Sequence, residues 1–133
     1  MIVGGNSARP ESGGYFVQPT IFDGVHNDMT IAREEIFGPV LSVMTFDEVD
    51  QAIQIANDTI YGLAAAIWTK DINLAHRTSR ALRAGVVWVN TFDEGDMSTP
   101  FGGYKQSGSG RDKSLHALDK YVDLKTTWVR LHK

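Results

Sequence analysis

The chain has 133 residues, a formal net charge of −3 at pH 7 and no cysteine. Its 42% hydrophobic and 22% charged residues are typical of a soluble globular protein, and its length indicates a single domain. The weakly acidic balance, without a basic block, argues against nucleic-acid binding. The lack of cysteine excludes disulfides, thiolate metal ligands and a thiol nucleophile supplied by this chain.

No window approaches the roughly 18 apolar residues that a membrane span requires. The first residues also lack the basic and apolar regions of a signal peptide. We therefore expect a cytoplasmic protein without a membrane partner.

The first third of the chain contains two predicted strands. Residues 1–14 are rich in Gly, Ser and Pro and indicate an arm or loop. The stretch 15–22, YFVQPTIF, is strand-like, and Pro19 predicts an edge or a break within it. Asp28 is a candidate helix cap before MTIAREE, and the alternating stretch 40–46 predicts another strand.

Two helices with helical spacing follow. The clearer one spans 47–57, with Asp47 as its predicted cap. Asp71 opens the second, INLAHRTSRAL, and Gly85 is expected to end it as a C-terminal glycine. The apolar side chains of the first helix fall on one face: Val49, Ala52, Ile53 and Ala56.

Short apolar strands lie between and after these helices. LAAAIWT at 63–69 is almost continuously apolar, which indicates that both its faces are covered. VVWVN at 86–90 predicts a further strand. The order strand–helix–strand–helix–strand predicts an α/β fold with parallel pairing.

A long irregular segment, 91–111, then interrupts the pattern. Loops of this length are usually functional or disordered. Beyond it, 113–120 predicts a short helix, and YVDLKTTWVRL at 121–131 alternates like a terminal strand.

The irregular segment contains two groups of candidate residues. FGGYKQSGSGR could cradle a phosphate with help from Lys105, but it matches neither phosphate-binding glycine pattern, so a tightly folded structural loop is favoured. Asp93, Glu94 and Asp96 form either a solvated acidic loop or, with Phe101, the entrance of a pocket that attracts a cationic substrate. No histidine spacing or complete calcium loop predicts a metal site.

The stretch EEIFGPV contains the other candidates, Glu35 and Phe37. One interpretation is a solvated helix end followed by a core aromatic. The other is a nucleoside clamp, because a carboxylate accepts hydrogen bonds from both ribose hydroxyls and an aromatic ring packs against a flat base.

Three stretches, GGYFVQPTIFDGV, MTIAREEIFGPV and PFGGYKQSGSGR, in this order closely resemble the C-terminal portion of NAD(P)-dependent aldehyde dehydrogenases. IANDTIYGLAAAIWTKD and AGVVWVN fit the same family, so the resemblance covers nearly the whole chain. FDEGDMSTPFGGYKQSGSGRDKSLHALDKY is similar to the gamma-glutamyl-gamma-aminobutyraldehyde dehydrogenases of putrescine breakdown. Lys113-Ser114-Leu115 stands where many relatives have a glycine.

The resemblance implies a fold and a domain organisation. Residues 1–120 would form part of the catalytic domain, a three-layer α/β sandwich with a mostly parallel sheet, preceded by a flexible arm at 1–14. Residues 121–133 would form an oligomerisation strand and tail that adds to a neighbouring subunit's sheet. The implied assembly is a homo-oligomer.

The resemblance also implies roles for four residues. Glu35 matches the carboxylate that holds the nicotinamide-side ribose of NAD or NADP, and Phe37 matches the aromatic that packs near the nicotinamide. The turn at Gly38-Pro39 would keep both side chains facing the cofactor. Asp93 and Phe101 match pocket-lining positions of the substrate-anchoring loop.

The family oxidises aldehydes to acids with a cysteine thiolate, a general-base glutamate and an oxyanion-binding asparagine. In the family these groups, and most of the dinucleotide-binding domain, precede the segment that this chain matches. We therefore expect no catalytic residue here and no turnover by the chain alone. The alternative is a non-enzymatic module that self-associates through its exposed apolar strands.

Overall fold

Short strands and helices follow one another through residues 1–132, the part of the chain that the structure, a computed structural model, describes. They group into two units, Met1–Ile60 and a second that begins at Tyr61. The α/β class predicted from the sequence is confirmed.

The first unit contains two pairs of short strands. β1 (Ser7–Ala8) pairs antiparallel with β2 (Phe16–Val17), and β3 (Thr20–Phe22) pairs parallel with β4 (Val40–Ser42). Pro19 separates β2 from β3 as predicted, because a residue without an N–H cannot donate to a strand ladder.

Residues 1–14, predicted to be an arm, make backbone contacts with the rest of this unit. They include β1 and one 3-10 turn, Pro10–Ser12. The N–H of Ile2 donates to the carbonyl of Ile21 at 2.8 Å, which attaches the start of the chain to β3.

The helices of this unit are α1 (Thr30–Arg33) and α2 (Val49–Asn57). The predicted caps Asp28 and Asp47 are wrong, because the next residue along the chain holds the cap position in each case and no side chain accepts a capping bond there. The backbone N–H of Asp47 instead donates to the side chain of Gln51 at 2.9 Å.

The second unit is built on a strand–helix–strand crossover. β6 (Ala64–Ile67) and β7 (Val86–Val89) pair in parallel, and α3 (Ile72–Ala81) connects them and packs against β6. β5 (Tyr61–Gly62) pairs antiparallel with β8 (Tyr104–Lys105), which belongs to the glycine-rich loop. The predicted parallel pairing is confirmed for the two apolar strands at 63–69 and 86–90, whereas the predicted strand at 40–46 pairs with β3.

Asp71 caps α3 as predicted. Its carboxylate accepts the N–H groups of Asn73 at 2.8 Å and Leu74 at 3.1 Å. These two bonds pair donors that the first turn of a helix otherwise leaves without an intrahelical partner.

Gly85 has a different role from the predicted one. α3 ends at Ala81, so Gly85 does not terminate it. A Cβ added at Gly85 would lie 1.6 Å from the carbonyl oxygen of Gly102, so glycine is required by the close approach of two backbone segments.

The end of the described chain carries a 3-10 helix, Leu115–Lys120, where 113–120 predicted a short helix. From Tyr121 to His132 there is no strand, so the predicted terminal strand is not formed within the chain. A strand needs a partner edge, and Leu124 is 100% and Trp128 92% exposed. Lys133 lies outside the described residues.

The three-layer sandwich with a mostly parallel sheet is not confirmed. The strands of residues 1–132 pair two by two, and half of the pairs are antiparallel. Val25 and Ala75 are the only buried apolar side chains in this part of the chain. Within it, every helix is too short or too polar to cross a lipid bilayer.

Candidate functional site

The first candidate segment connects α1 to β4 and carries Glu35 and Phe37. Both residues are exposed, and Phe37 is 92% exposed. The interpretation of Phe37 as a core aromatic is therefore wrong. An exposed carboxylate and an exposed ring two residues apart leave both groups available to a ligand.

Phe37 also has an unusual backbone conformation. Its φ is +55°, in the left-handed region that L-residues with bulky side chains rarely adopt. Such positions typically cost about 1–3 kcal/mol and cluster at functional sites. The strain identifies Phe37 as a residue whose conformation the surrounding chain imposes.

The turn that follows Phe37 is held by backbone hydrogen bonds. The N–H of Val40 donates to the carbonyl of Gly38 at 2.8 Å, which closes a three-residue turn centred on Pro39. The carbonyl of Pro39 in turn accepts the N–H of Thr20 at 2.9 Å, at the start of β3. This turn fixes the point at which the Glu35–Phe37 segment joins the parallel strand pair.

The second candidate site is a pocket of about 640 Å³ in the second unit. It brings together Asp93 and Phe101, the two substrate residues predicted from the sequence, and the other acidic candidates Glu94 and Asp96. Val86, Val87 and Trp88 of β7 form part of its wall. The remaining lining residues come from the irregular segment and from just beyond it: Gly85, Gly95, Thr99, Pro100 and Lys113.

Contacts with β7 hold the acidic side of the pocket in place. The indole N–H of Trp88 donates to the carbonyl of Glu94 at 2.6 Å, and its ring lies 5.2 Å from that of Phe92. Asn90, at φ +57°, exchanges two hydrogen bonds with the backbone of Thr69, at 2.8 and 2.9 Å. The loop therefore leaves β7 in a fixed direction.

The acidic residues differ in their local bonding. Asp93 has φ +56° and is exposed. Hydrogen bonds from Ser98 lower the pKa of Asp96, and the nearby Lys113 ammonium acts in the same direction. The backbone N–H of Ser98 donates to the Asp96 carboxylate at 2.8 Å. The Asp96 carboxylate is therefore bonded within the loop.

A short two-residue bridge fixes the aromatic side of the pocket. Phe101 and Asp112 exchange backbone hydrogen bonds at 2.8 and 2.6 Å. The Asp112 carboxylate also contacts the ammonium of Lys120. That hydrogen bond from Lys120 to Asp112 raises the pKa of Lys120.

The glycine-rich loop makes the contacts of a folded structural loop. Arg111 donates to the carbonyls of Gly103 and Gly110 at 2.9 and 2.7 Å, and its guanidinium lies 5.1 Å from the centroid of the Tyr104 ring. The hydroxyl of Ser107 accepts the N–H of Gly62 at 3.0 Å. These contacts agree with the structural interpretation favoured from the sequence.

Sequence reasoning missed two residues of the pocket. Trp88 was assigned only to a strand, although its indole N–H pins the loop. Lys113 was noted only as the start of a predicted helix and as a departure from relatives, yet its ammonium lies 5.7 Å from the centroid of the Phe101 ring. Among the described residues, no group of three or more His, Cys, Asp or Glu is arranged to hold a metal ion.

Comparison with known proteins gives one consistent result. The sequence pattern of the aldehyde dehydrogenase family matches residues 1–127. The NADP/NAD-dependent aldehyde dehydrogenase PuuC of Escherichia coli is 59% identical over 115 residues, which are 86% of this chain and 23% of that protein.

Solved structures agree with this match. An indole-3-acetaldehyde dehydrogenase of P. syringae, solved with NAD+ and IAA, is 67% identical with a TM-score of 0.93, over 98% of this chain and 26% of its own. A gamma-glutamyl-gamma-aminobutyraldehyde dehydrogenase of Burkholderia cenocepacia is 64% identical with a TM-score of 0.91, over 98% of this chain and 27% of its own. The chain spans about a quarter of the length of the proteins that it matches.

Proposed function

The chain belongs to the aldehyde dehydrogenase family, and we propose that it supplies the nicotinamide-side cofactor contacts and the aldehyde pocket for the NAD(P)-dependent oxidation of an aldehyde to a carboxylic acid. The observation that carries this proposal is that one pocket is lined by both Asp93 and Phe101, the two residues that the family resemblance assigns to substrate binding. NAD+ in two related structures supports the choice of cofactor.

On the cofactor side, the two residues fit one half of a dinucleotide. The exposed Glu35 carboxylate can accept hydrogen bonds from both hydroxyls of a ribose, and the exposed Phe37 ring offers an apolar face to a nicotinamide. The bound cofactor would accept the hydride. Its phosphates and adenine require residues that these two do not provide, so the affinity of this chain alone would be low.

On the substrate side, the pocket combines one aromatic wall with three carboxylates. Phe101 and Trp88 give the apolar surface that orients a carbon chain. Asp93, Glu94 and Asp96 create a negative potential that favours a substrate with an ammonium group.

That charge supports one substrate class within the family. The Burkholderia relative is described as acting on gamma-glutamyl-gamma-aminobutyraldehyde, whose γ-glutamyl end carries an ammonium and a carboxylate. The P. syringae relative, at similar identity, is described as acting on indole-3-acetaldehyde, which carries neither. We propose the γ-glutamyl aldehyde, a substrate of putrescine breakdown, on the acidity of the pocket. The cytoplasmic location stays a prediction.

The chain supplies no thiol, so the covalent step of the family cannot occur on it. We therefore expect the isolated chain to bind and orient but not to turn over substrate. Mixing it with NAD+ and the γ-glutamyl aldehyde should give no NADH by absorbance at 340 nm. Turnover under these conditions would contradict our account of the missing nucleophile.

A chimera tests the proposed contribution directly. Residues 1–132 of this chain replace the matching segment of Escherichia coli PuuC, and NADH formation is followed with the γ-glutamyl aldehyde. We expect an active chimera whose Asp93→Asn variant has a raised KM for this aldehyde and an unchanged KM for NAD+. A folded chimera without activity towards any aldehyde would refute the proposal.

A second candidate function is self-association. Apolar side chains of the terminal segment are exposed: Leu124 is 100%, Trp128 92% and Leu131 87% exposed. Such a segment can add as a strand to the sheet of a second copy, giving a homo-oligomer. Sedimentation velocity decides this point, since a monomer across a wide concentration range would exclude the module. Truncation after Tyr121 should shift any oligomer to monomer.

A further inference from the structure

Lys113 is the only cationic side chain among the described residues that line the acidic pocket. Its ammonium lies 5.7 Å from the centroid of the Phe101 ring. It also passes close to the backbone of Gly95, where an added Cβ would lie 3.5 Å from it. The cation therefore sits between the aromatic wall and the acidic loop.

The backbone at Lys113 and Ser114 is strained. Lys113 and Ser114 have φ values of +58° and +53°, two consecutive non-glycine residues in the left-handed region. The pair is held by a 2.7 Å hydrogen bond from the N–H of Ser114 to the carbonyl of Met97. Glycine would adopt this conformation at lower cost, so lysine at this position carries a backbone penalty that glycine would not.

We propose that Lys113 is a specificity-determining residue that binds the carboxylate of a zwitterionic aldehyde substrate. This inference rests on the proposed function and assigns the anionic half of the γ-glutamyl group. An ammonium alone would need only the carboxylates of the loop, whereas an α-amino acid end presents both charges on one carbon. A pocket with carboxylates beside one ammonium matches that pair of charges.

The position of Lys113 suits this role. The face of an aromatic ring attracts an ammonium group and so holds it in place. The three N–H groups of the ammonium can still donate hydrogen bonds to another acceptor. Asp96 lies near enough for the ammonium to influence it, but its carboxylate already accepts a hydrogen bond from Ser98. A substrate carboxylate can therefore join Lys113 without leaving Asp96 unpaired.

A matched pair of substrates tests the assignment in the PuuC chimera. The first is the γ-glutamyl aldehyde. The second replaces the γ-glutamyl group with 4-aminobutanoyl, which removes only the α-carboxylate and keeps the ammonium, the amide and the aldehyde. We compare the parent with Lys113→Met, Lys113→Arg and a control, Lys70→Met, whose side chain is exposed outside the pocket.

The expected result is a selective loss. Lys113→Met should raise the KM for the γ-glutamyl aldehyde about fivefold, the upper range for a partly exposed ion pair, and should not raise the KM for the decarboxylated analogue, whose ammonium the remaining carboxylates still attract. Lys113→Arg should retain most of the difference in KM between the two substrates, because it keeps the positive charge. Lys70→Met should retain all of that difference.

Equal effects of Lys113→Met on the two substrates would overturn the assignment while leaving the proposed function intact. Loss of activity with both, together with a lowered unfolding temperature, would also overturn it and give Lys113 a structural role. A parent chimera that is active but does not discriminate between the substrates would exclude a carboxylate site. An inactive, folded parent would overturn the proposed function and this inference with it.

Discussion

Substitution of Phe37 distinguishes a structural role from a functional one, because the two roles predict different effects on stability and on cofactor binding. A phenylalanine side chain exposes about 150–250 Å² when fully accessible. Because Phe37 is 92% exposed, only about 15 Å² is buried. At about 25 cal/mol per Å², truncation to alanine should lower the free energy of unfolding by about 0.4 kcal/mol.

The expected functional effect of Phe37→Ala is larger. An aromatic ring packed against another flat ring contributes about 0.5–1.5 kcal/mol beyond its burial. Losing that contact should raise the KM for the nicotinamide cofactor roughly twofold to twelvefold in the PuuC chimera, with little change in the KM for the aldehyde. Initial rates over a range of NAD+ concentrations measure the first effect, and thermal unfolding measures the change in stability.

Phe46→Ala is the matched control, because Phe46 lies in the same unit and is 54% exposed. Its greater burial predicts a loss of about 2 kcal/mol in the free energy of unfolding and an unchanged KM for NAD+. If Phe37→Ala destabilised the protein as much as Phe46→Ala, or left the KM for NAD+ unchanged, the assignment of Phe37 to the cofactor would be wrong.

Three further predictions concern stability. Asp71→Ala should cost about 1 kcal/mol by removing both capping bonds of α3, whereas Asp47→Ala, which removes no cap, should cost much less; urea unfolding compares them. Gly85→Ala should cost about 3 kcal/mol or prevent folding, since its Cβ would overlap a carbonyl 1.6 Å away, and soluble yield with thermal unfolding reports this. The hydrogen bond to Asp112 raises the pKa of Lys120, so this contact stabilises the fold fully below the unfolded pKa near 10.5 and is lost as pH rises through the folded value. The stability difference between parent and Lys120→Met should therefore vanish at strongly alkaline pH, and a difference that persists there would exclude the ion pair as its cause.

Local chemistry explains which helix boundaries the sequence could predict. Asp71 was recognised because it stands immediately before the helical pattern, and its carboxylate accepts the N–H groups of the residues two and three positions further on. Asp28 and Asp47 have the same residue type before a helical pattern, but each helix begins one residue too late for them to reach its first turn. A shift of one residue lies within the range where a pattern cannot distinguish a cap from its neighbour.

The pairing of strands was predictable only where both partners lie within the chain. Two apolar runs separated by a helix gave the parallel pair β6–β7. The alternation of 121–131 indicates a strand with two different faces, but it does not indicate which strand edge the segment would pair with. Within residues 1–132 the segment pairs with no strand. The predicted role of Gly85 was wrong for a related reason. The residue that it approaches in space, Gly102, is 17 positions away along the chain, so the local pattern does not reveal the contact.

The candidate site was predicted through motifs, while its geometry depends on conformations that motifs do not encode. Glu35, Phe37, Asp93 and Phe101 were all assigned from the family resemblance. Phe37, Asp93 and Lys113 all have positive φ angles, which non-glycine residues seldom adopt, so the sequence gives no reason to expect them. Lys113 was therefore noted in the sequence only as the start of a predicted helix and as a departure from the glycine that many relatives have.

This strain gives a physical reason to treat the lysine as specific to this chain's substrate. In the left-handed region, glycine at 113 would lower the backbone cost, yet it would leave the pocket with carboxylates and no cation. An acidic pocket of that kind would attract any amine-bearing aldehyde and repel one that also carries a carboxylate. With Lys113 present, the same pocket can accept both charges of an α-amino acid group. The residue that causes the backbone cost at position 113 is therefore also the residue that would select the substrate.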